Sequence, residues 1–265
     1  MKILKNITVF TLVMLLSVST VLEAREKNIS NFSSSASNLV DSTGTFDGNK
    51  IYADVANNGL FLDYHVSGDS ALEWPKGTGV HSIFQSALWM GATVNGSIRT
   101  IVGDYTQDMG PGPWGGDPLA AVHRIYKVEK SMLASPLDFA DFQEWPVEFG
   151  APWVDVDGDG VYTPLPGGTD HPEFLGDQVL WFVSNDGDPA YKLNFGTSPM
   201  NVEIQTTMFG FDRPDVFGDM VFLKQLVINK GSDDLVDTYM GLWSDPDLGY
   251  ACLLYTSDAA DDVVR

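Results

Sequence analysis

Ser82-Ile-Phe-Gln-Ser-Ala-Leu-Trp-Met-Gly-Ala-Thr-Val-Asn95-Gly96-Ser97-Ile-Arg-Thr-Ile-Val102 is the stretch on which the fold class turns. Asn95-Gly96 suits a two-residue type I′ hairpin turn, because both central positions of that turn need positive φ. Residues 82–90 and 97–105 are therefore expected as paired strands. Apolar and polar residues alternate clearly in Ser97-Ile-Arg-Thr-Ile-Val102. The run Ile83 to Trp89 also fits a short helix by periodicity, and the pairing across the turn decides for strand.

Outward from this hairpin, short apolar stretches alternate with turn residues. Strands are expected over 51–55, 59–66, 123–128, 179–184, 201–211, 220–229 and 238–243, the last two joined by the polar turn Lys230-Gly-Ser-Asp-Asp234. Residues 108–118, dominated by Gly and Pro, read as loop, and 136–144 as one short helix capped by Ser135. No internal repeat and no long amphipathic helix is visible. The spacing predicts a mainly β chain, a β-sandwich-like fold with long Gly/Pro-rich loops.

The ends read differently. Residues 1–24 have the form of a secretory signal: Lys2 and Lys5, then an apolar run from Ile7 to Leu16, then Leu22-Glu-Ala24 ending on a small residue. The apolar run is short for a membrane span, so no integral span is expected in the mature chain, which would be secreted or held at the outer cell surface. Residues 25–45, rich in Ser, Asn and Thr, read as a flexible linker. From Cys252 the sequence Cys-Leu-Leu-Tyr-Thr-Ser-Asp-Ala-Ala-Asp-Asp resembles a translated sequencing-library adapter, so residues 252–265 are set aside from fold reasoning. The β-rich region then covers 46–251 and is expected to be cut short at its C-terminal end.

Of 265 residues, 15 are Lys or Arg and 36 are Asp or Glu, a net charge of −21. Such a field repels nucleic acid and anionic membrane surfaces and favours divalent cations as partners. Within 25–251 no cysteine occurs, so an exported chain must rely on its core, on metal, or on both.

The strongest local motif is Asp155-Val-Asp157-Gly-Asp159-Gly160-Val161-Tyr-Thr163. Carboxylates at alternate positions converge on one point if the chain turns at Gly160, with the Val161 carbonyl and the Thr163 hydroxyl as further oxygen donors. This is Ca²⁺ loop chemistry. Position 12, where an EF-hand has a bidentate Glu, is Pro166, and Pro152 and Pro164 argue against flanking helices. A free-standing calcium loop completed by Asp170 or Asp177 is expected; the alternative is a solvated Asp-Gly turn. Asn185-Asp186-Gly-Asp188 and Asp245-Pro-Asp247 are weaker acidic clusters, each more commonly a turn.

Enzyme signatures are lacking. Gly110-Pro-Gly-Pro-Trp-Gly115 matches a dinucleotide fingerprint only formally, since its prolines remove backbone donors and no helix follows. The four histidines lack zinc-protease spacing, no Gly-x-Ser-x-Gly elbow occurs, and no carboxylate pair is singled out for glycoside hydrolysis. No catalytic residues are assigned. Seven tryptophans invite a sugar-stacking reading, but most belong in a sandwich core; Trp114, in the Gly/Pro loop, is the candidate for ligand contact.

Leu72-Glu-Trp-Pro-Lys-Gly77, Val94-Asn-Gly96, Gly150-Ala-Pro-Trp-Val-Asp-Val-Asp-Gly-Asp-Gly160, Gly176-Asp-Gln178, Ile228-Asn-Lys-Gly231 and Trp243-Ser-Asp-Pro-Asp-Leu-Gly249 together resemble a family of secreted or cell-surface proteins of Bacteroidota. The resemblance runs from about Gly44 to Gly249. It implies export, often by type IX secretion with a C-terminal sorting domain that this sequence lacks, and an Asp-rich loop at Asp155, Asp157 and Asp159. The expected function is a calcium-stabilised surface or extracellular structural or adhesion protein without catalytic activity, with a glycan or surface protein as its other partner. The alternative is a carbohydrate-binding module or accessory region of a secreted polysaccharide-degrading enzyme.

Overall fold

The computed structural model describes residues 6–14, 43–68, 70–165 and 170–246, with residues 6–14 described as backbone alone. Strand accounts for 41% and helix for 13%, so the chain is mainly β, as the turn chemistry predicts. The first half holds β1 (Asn6–Met14), β2 (Thr43–Phe46), β3 (Tyr52–Ala56), β4 (Leu60–Leu62), β5 (Leu72–Glu73), β6 (His81–Val94), β7 (Ser97–Val102) and β8 (Gly110–Pro111). The second half holds β9 (Tyr126–Glu129), the one-turn helix α1 (Ala140–Gln143), β10 (Trp153–Val154), β11 (His171–Pro172), β12 (Gln178–Asn185), β13 (Val202–Gly210), β14 (Met220–Asn229) and β15 (Val236–Pro246).

These strands form two large antiparallel sheets and one small ribbon. The first sheet runs β1-β14-β13-β12-β8, with β9 also on β12; the second runs β15-β6-β5-β3-β2, with β4 and β7 also on β6; β10 pairs with β11. The β6–β7 hairpin closes on Val94↔Ser97, and Asn95 and Gly96 take φ of 50° and 77°, the signature of the type I′ turn. β6 is longer than expected, fourteen residues, because β15, β7, β4 and β5 all pair along it.

Several outcomes differ from the sequence reading. The strand expected over 59–66 is only Leu60–Leu62, ending in a turn, and Gly110–Pro111, within the stretch read as loop, pairs with β12. Residues 136–144 are a 3₁₀ turn (Pro136–Asp138) and then α1, because Phe139 between them is extended (φ −124°, ψ 117°) and interrupts the helix; the Ser135 side chain makes no cap bond. β14 and β15, though joined by the polar turn, do not pair; the chain crosses there from one sheet to the other. Part of the run read as an export signal, Asn6–Met14, forms a strand along β14, with Asn6↔Ile228 and Met14↔Met220 at its ends. The expected cleavage point, most of the linker and residues 252–265 lie outside the described residues.

Between the two sheets lie two apolar clusters. Phe46, Ala53, Val55 and Ile83 of the second sheet meet Leu180, Phe182, Met208, Val221 and Leu223 of the first. Leu88, Met90 and Ile101 meet Val202, Ile204 and Val227. A third cluster lies on the other face of the first sheet, where Tyr126, Val179, Trp181, Val183 and Phe209 are covered by Phe142, Trp145 and Ala151. Covering on both faces makes every residue of β12 and β13 buried. Burial of each large side chain contributes roughly 1.5–3 kcal/mol before the entropy cost of ordering it. The segment forming the third cluster carries the Asp-rich loop.

Candidate metal centre

The β10–β11 ribbon positions the loop. Val154 pairs with His171, so the residues just beyond that pair, Asp155 and Asp170, leave the ribbon side by side. Between them the chain reverses through Gly158 and Gly160, whose φ values of 78° and 76° lie in the left-handed region. A Cβ at either glycine would meet nothing within 4 Å. Glycine is needed there for its backbone alone.

Each aspartate is pinned by backbone amides. Gly158 N–H donates to Asp155 Oδ1 at 2.6 Å and Gly160 N–H to Asp155 Oδ2 at 2.9 Å. Asp159 N–H donates to Asp157 Oδ1 and Val161 N–H to Asp159 Oδ1. Asp170 accepts from Val156 N–H at 2.9 Å and from both the N–H and the hydroxyl of Thr163 at 2.8 and 3.2 Å. Asp155, Asp157, Asp159 and Asp170 thereby bring one carboxylate oxygen each to within 4.8 Å of one another, the first three exposed and Asp170 buried.

Electrostatics separates the members of this cluster. For Asp157, the bond from the Asp159 amide favours the charged form, but desolvation and the charges of Asp159, Asp170 and Asp155 outweigh it and push the carboxyl up. The amides of Thr163 and Val156 hold Asp170 below the usual carboxylate range. The site therefore combines a carboxylate stabilised as an anion with one whose charge its neighbours oppose. A cation would relieve that opposition, and four hard oxygen donors without nitrogen or sulfur suit a hard one.

Of the residues named from sequence, Asp155, Asp157 and Asp159 meet, and of the two candidates for completing the set, Asp170 joins them. Asp177 lies elsewhere, accepting from Asp212 N–H beside a polar cleft of about 570 Å³ lined also by Asp47, Glu129 and Lys76. The Thr163 hydroxyl is engaged with Asp170, and Val161 is exposed. Asp186 is wholly buried and accepts from the amides of Met200 and Val202, so it ties strand ends together. Asp245 accepts from the Tyr105 hydroxyl, and Asp247 lies outside the described residues.

Trp114 is part-exposed, and both its N–H groups are in use, the backbone amide to Glu203 and Nε1 to Asn201. The loop is also tied inward. The Tyr162 hydroxyl donates to the Phe142 carbonyl at 2.6 Å, and its ring meets Trp153 edge-on at 5.6 Å. Nothing in the sequence around Tyr162 announced this anchor; its signal was only an aromatic residue within an acidic loop. Among the described residues, no helix is long and apolar enough to cross a membrane. No known protein family, curated protein or solved structure matches the chain.

Proposed function

We propose that the chain is an exported, non-catalytic structural or adhesion module whose 155–170 loop binds Ca²⁺. The observation that carries this reading is the meeting of Asp155, Asp157, Asp159 and Asp170 within 4.8 Å. Calcium takes oxygen ligands at 2.3–2.6 Å, so oxygens across the ion from one another stand about 4.6–5.2 Å apart, a span that such a cluster can supply. Waters and the Val161 carbonyl would complete the shell. Binding would fasten the loop whose Tyr162 and Trp153 pack against the third apolar cluster, and so stabilise the fold by mass action. Millimolar extracellular calcium suffices for this even at weak affinity.

The test is thermal unfolding of the chain lacking residues 1–24, in EDTA and in millimolar CaCl₂. Calcium is expected to raise Tm by several degrees, with little effect of Mg²⁺ at the same concentration. Asp157→Ala should remove most of the increment while leaving the Tm in EDTA near that of the parent. Asp170→Asn should remove it and also lower the Tm in EDTA, because the buried Asp170 accepts from Val156 N–H and from the N–H and hydroxyl of Thr163. An unchanged parent Tm in calcium, or an increment retained in both variants, defeats the reading.

A further inference from the structure

The outer face of the second sheet carries a run of aromatic rings that the core does not need. Along β6 and β15 the core contacts come from Leu88, Met90 and Met240. Trp89 and Trp243, one residue out of phase with them, point to the other face. There the two indoles lie parallel, 6° apart in plane, with centroids at 6.1 Å. Tyr105 meets Trp243 edge-on at 5.5 Å, Phe84 meets Tyr105 at 6.2 Å, and Tyr64 stacks on Phe84 at 4.4 Å. The five rings follow one another in single file, Tyr64, Phe84, Tyr105, Trp243 and Trp89, with Val102 across from Trp89 on the same face.

Trp89 and Tyr105 are accessible and fixed, and Tyr64, Phe84 and Trp243 are half-buried beside them. Trp89 is 37% and Tyr105 48% exposed. Trp89 Nε1 donates to the Gly103 carbonyl at 2.6 Å, and the Tyr105 hydroxyl donates to Asp245 Oδ2 at 2.8 Å. Rings held this way lose little further freedom when something stacks on them.

We propose that this face binds a neutral polysaccharide chain. Three observations select that occupant. The acidic neighbours of the rings are Asp63, Asp104 and Asp245, with His65 against the Tyr64 ring and paired to Asp63. Burial first, then the hydrogen bond to Asp245 and the charges of Asp245 and Asp104, raise the Tyr105 hydroxyl pKa to about 12. In a chain of net charge −21 such a face repels nucleic acid, phospholipid and anionic glycans. A carboxylate rim only accepts hydrogen bonds, and sugar hydroxyls donate them, while the C–H faces of pyranose rings lie flat on aromatic faces. A single file of rings with the Asp245 carboxylate beside it matches a linear chain. The proposal stands apart from the calcium reading and from Trp114.

Affinity electrophoresis through gels containing hydroxyethylcellulose, xylan, glucomannan or, as a polyanion, alginate tests it. At least one neutral polysaccharide is expected to retard the chain and alginate is not. Trp89→Ala/Trp243→Ala should weaken retention at least tenfold with unchanged circular dichroism, whereas Trp243→Phe retains most of it. If the double variant does not fold, the parent supplies the readout: the retarding glycan should protect Trp89 and Trp243 from oxidation by N-bromosuccinimide. The proposal is overturned if no neutral polysaccharide retards the parent, if alginate retards it equally, or if retention survives in the folded double variant. Absence of protection at both tryptophans overturns it too.

Discussion

At the scale of single residues, backbone conformation and charge can be tested separately. Gly160 has φ of 76° and open space where a Cβ would go, so Gly160→Ala meets a backbone cost without a steric one. It should lower stability by about 1 kcal/mol in urea unfolding and weaken any calcium increment. Asp219 tests charge. Despite partial desolvation, the Lys50 ammonium at 2.9 Å and the Trp74 indole N–H at 3.0 Å hold its carboxyl below the usual range. A folded-state pKa below the unfolded one adds stability that is present above the unfolded value, near 4, and is lost as pH falls through the folded value. Asp219→Asn should therefore cost under about 1 kcal/mol at pH 7, since Lys50 is part-exposed, and flatten the decline of Tm below pH 4. An unchanged acid limb in the variant would remove Asp219 from the account of acid unfolding.

At the scale of elements, legibility followed what is local in the chain. β7 was legible through the Asn95-Gly96 turn, whose residues are chosen by φ alone; its own pattern is weaker than it reads, because Ile98 is exposed and Ile101 buried, three residues apart and on opposite faces. β12 reads Gln-Val-Leu-Trp-Phe-Val-Ser-Asn, without alternation, because both its faces are covered. Its existence was legible as an apolar run, but its place at the centre of a sheet was not. Sheet partners of β14 and β15 were hidden for another reason: a polar turn between two strands is the same chemistry whether they pair or part. The Asp triplet was legible because its ligands are local; Asp170 needed the β10–β11 pairing to be chosen over Asp177. The aromatic run was missed since Tyr64, Phe84, Trp89, Tyr105 and Trp243 come from separate segments.

The pairing of β1 with β14 also has a consequence. If the first 24 residues are removed on export, nine consecutive pairings along β14 are removed with them and that edge opens. Open edges of this length recruit other strands, and Lys224 is the only charge along it. The chain lacking residues 1–24 should associate with rising concentration in size-exclusion light scattering, and Leu226→Lys, on the same face as Lys224, should suppress this. A strictly monomeric parent at high concentration would mean that the edge is protected by other means.

At the scale of the whole molecule, the three apolar clusters divide the fold into unequal parts. The two between the sheets draw residues from both sheets, so the sandwich should unfold as one cooperative unit. The third is built differently: its outer side is supplied by one stretch containing Phe142, Trp145, Ala151, Trp153 and Tyr162, with short helices and the small β10–β11 ribbon in place of long strands. Such a layer can open without the sandwich, because few of its backbone hydrogen bonds belong to a ladder. The Asp-rich loop sits on this layer, and its proposed ion would act there first. Removing calcium with EDTA should therefore speed amide hydrogen exchange across residues 151–165 while β6 and β14 keep their protection. Slowing of exchange throughout the sandwich on calcium addition, in equal measure, would instead show that the outer layer and the sandwich open as one body.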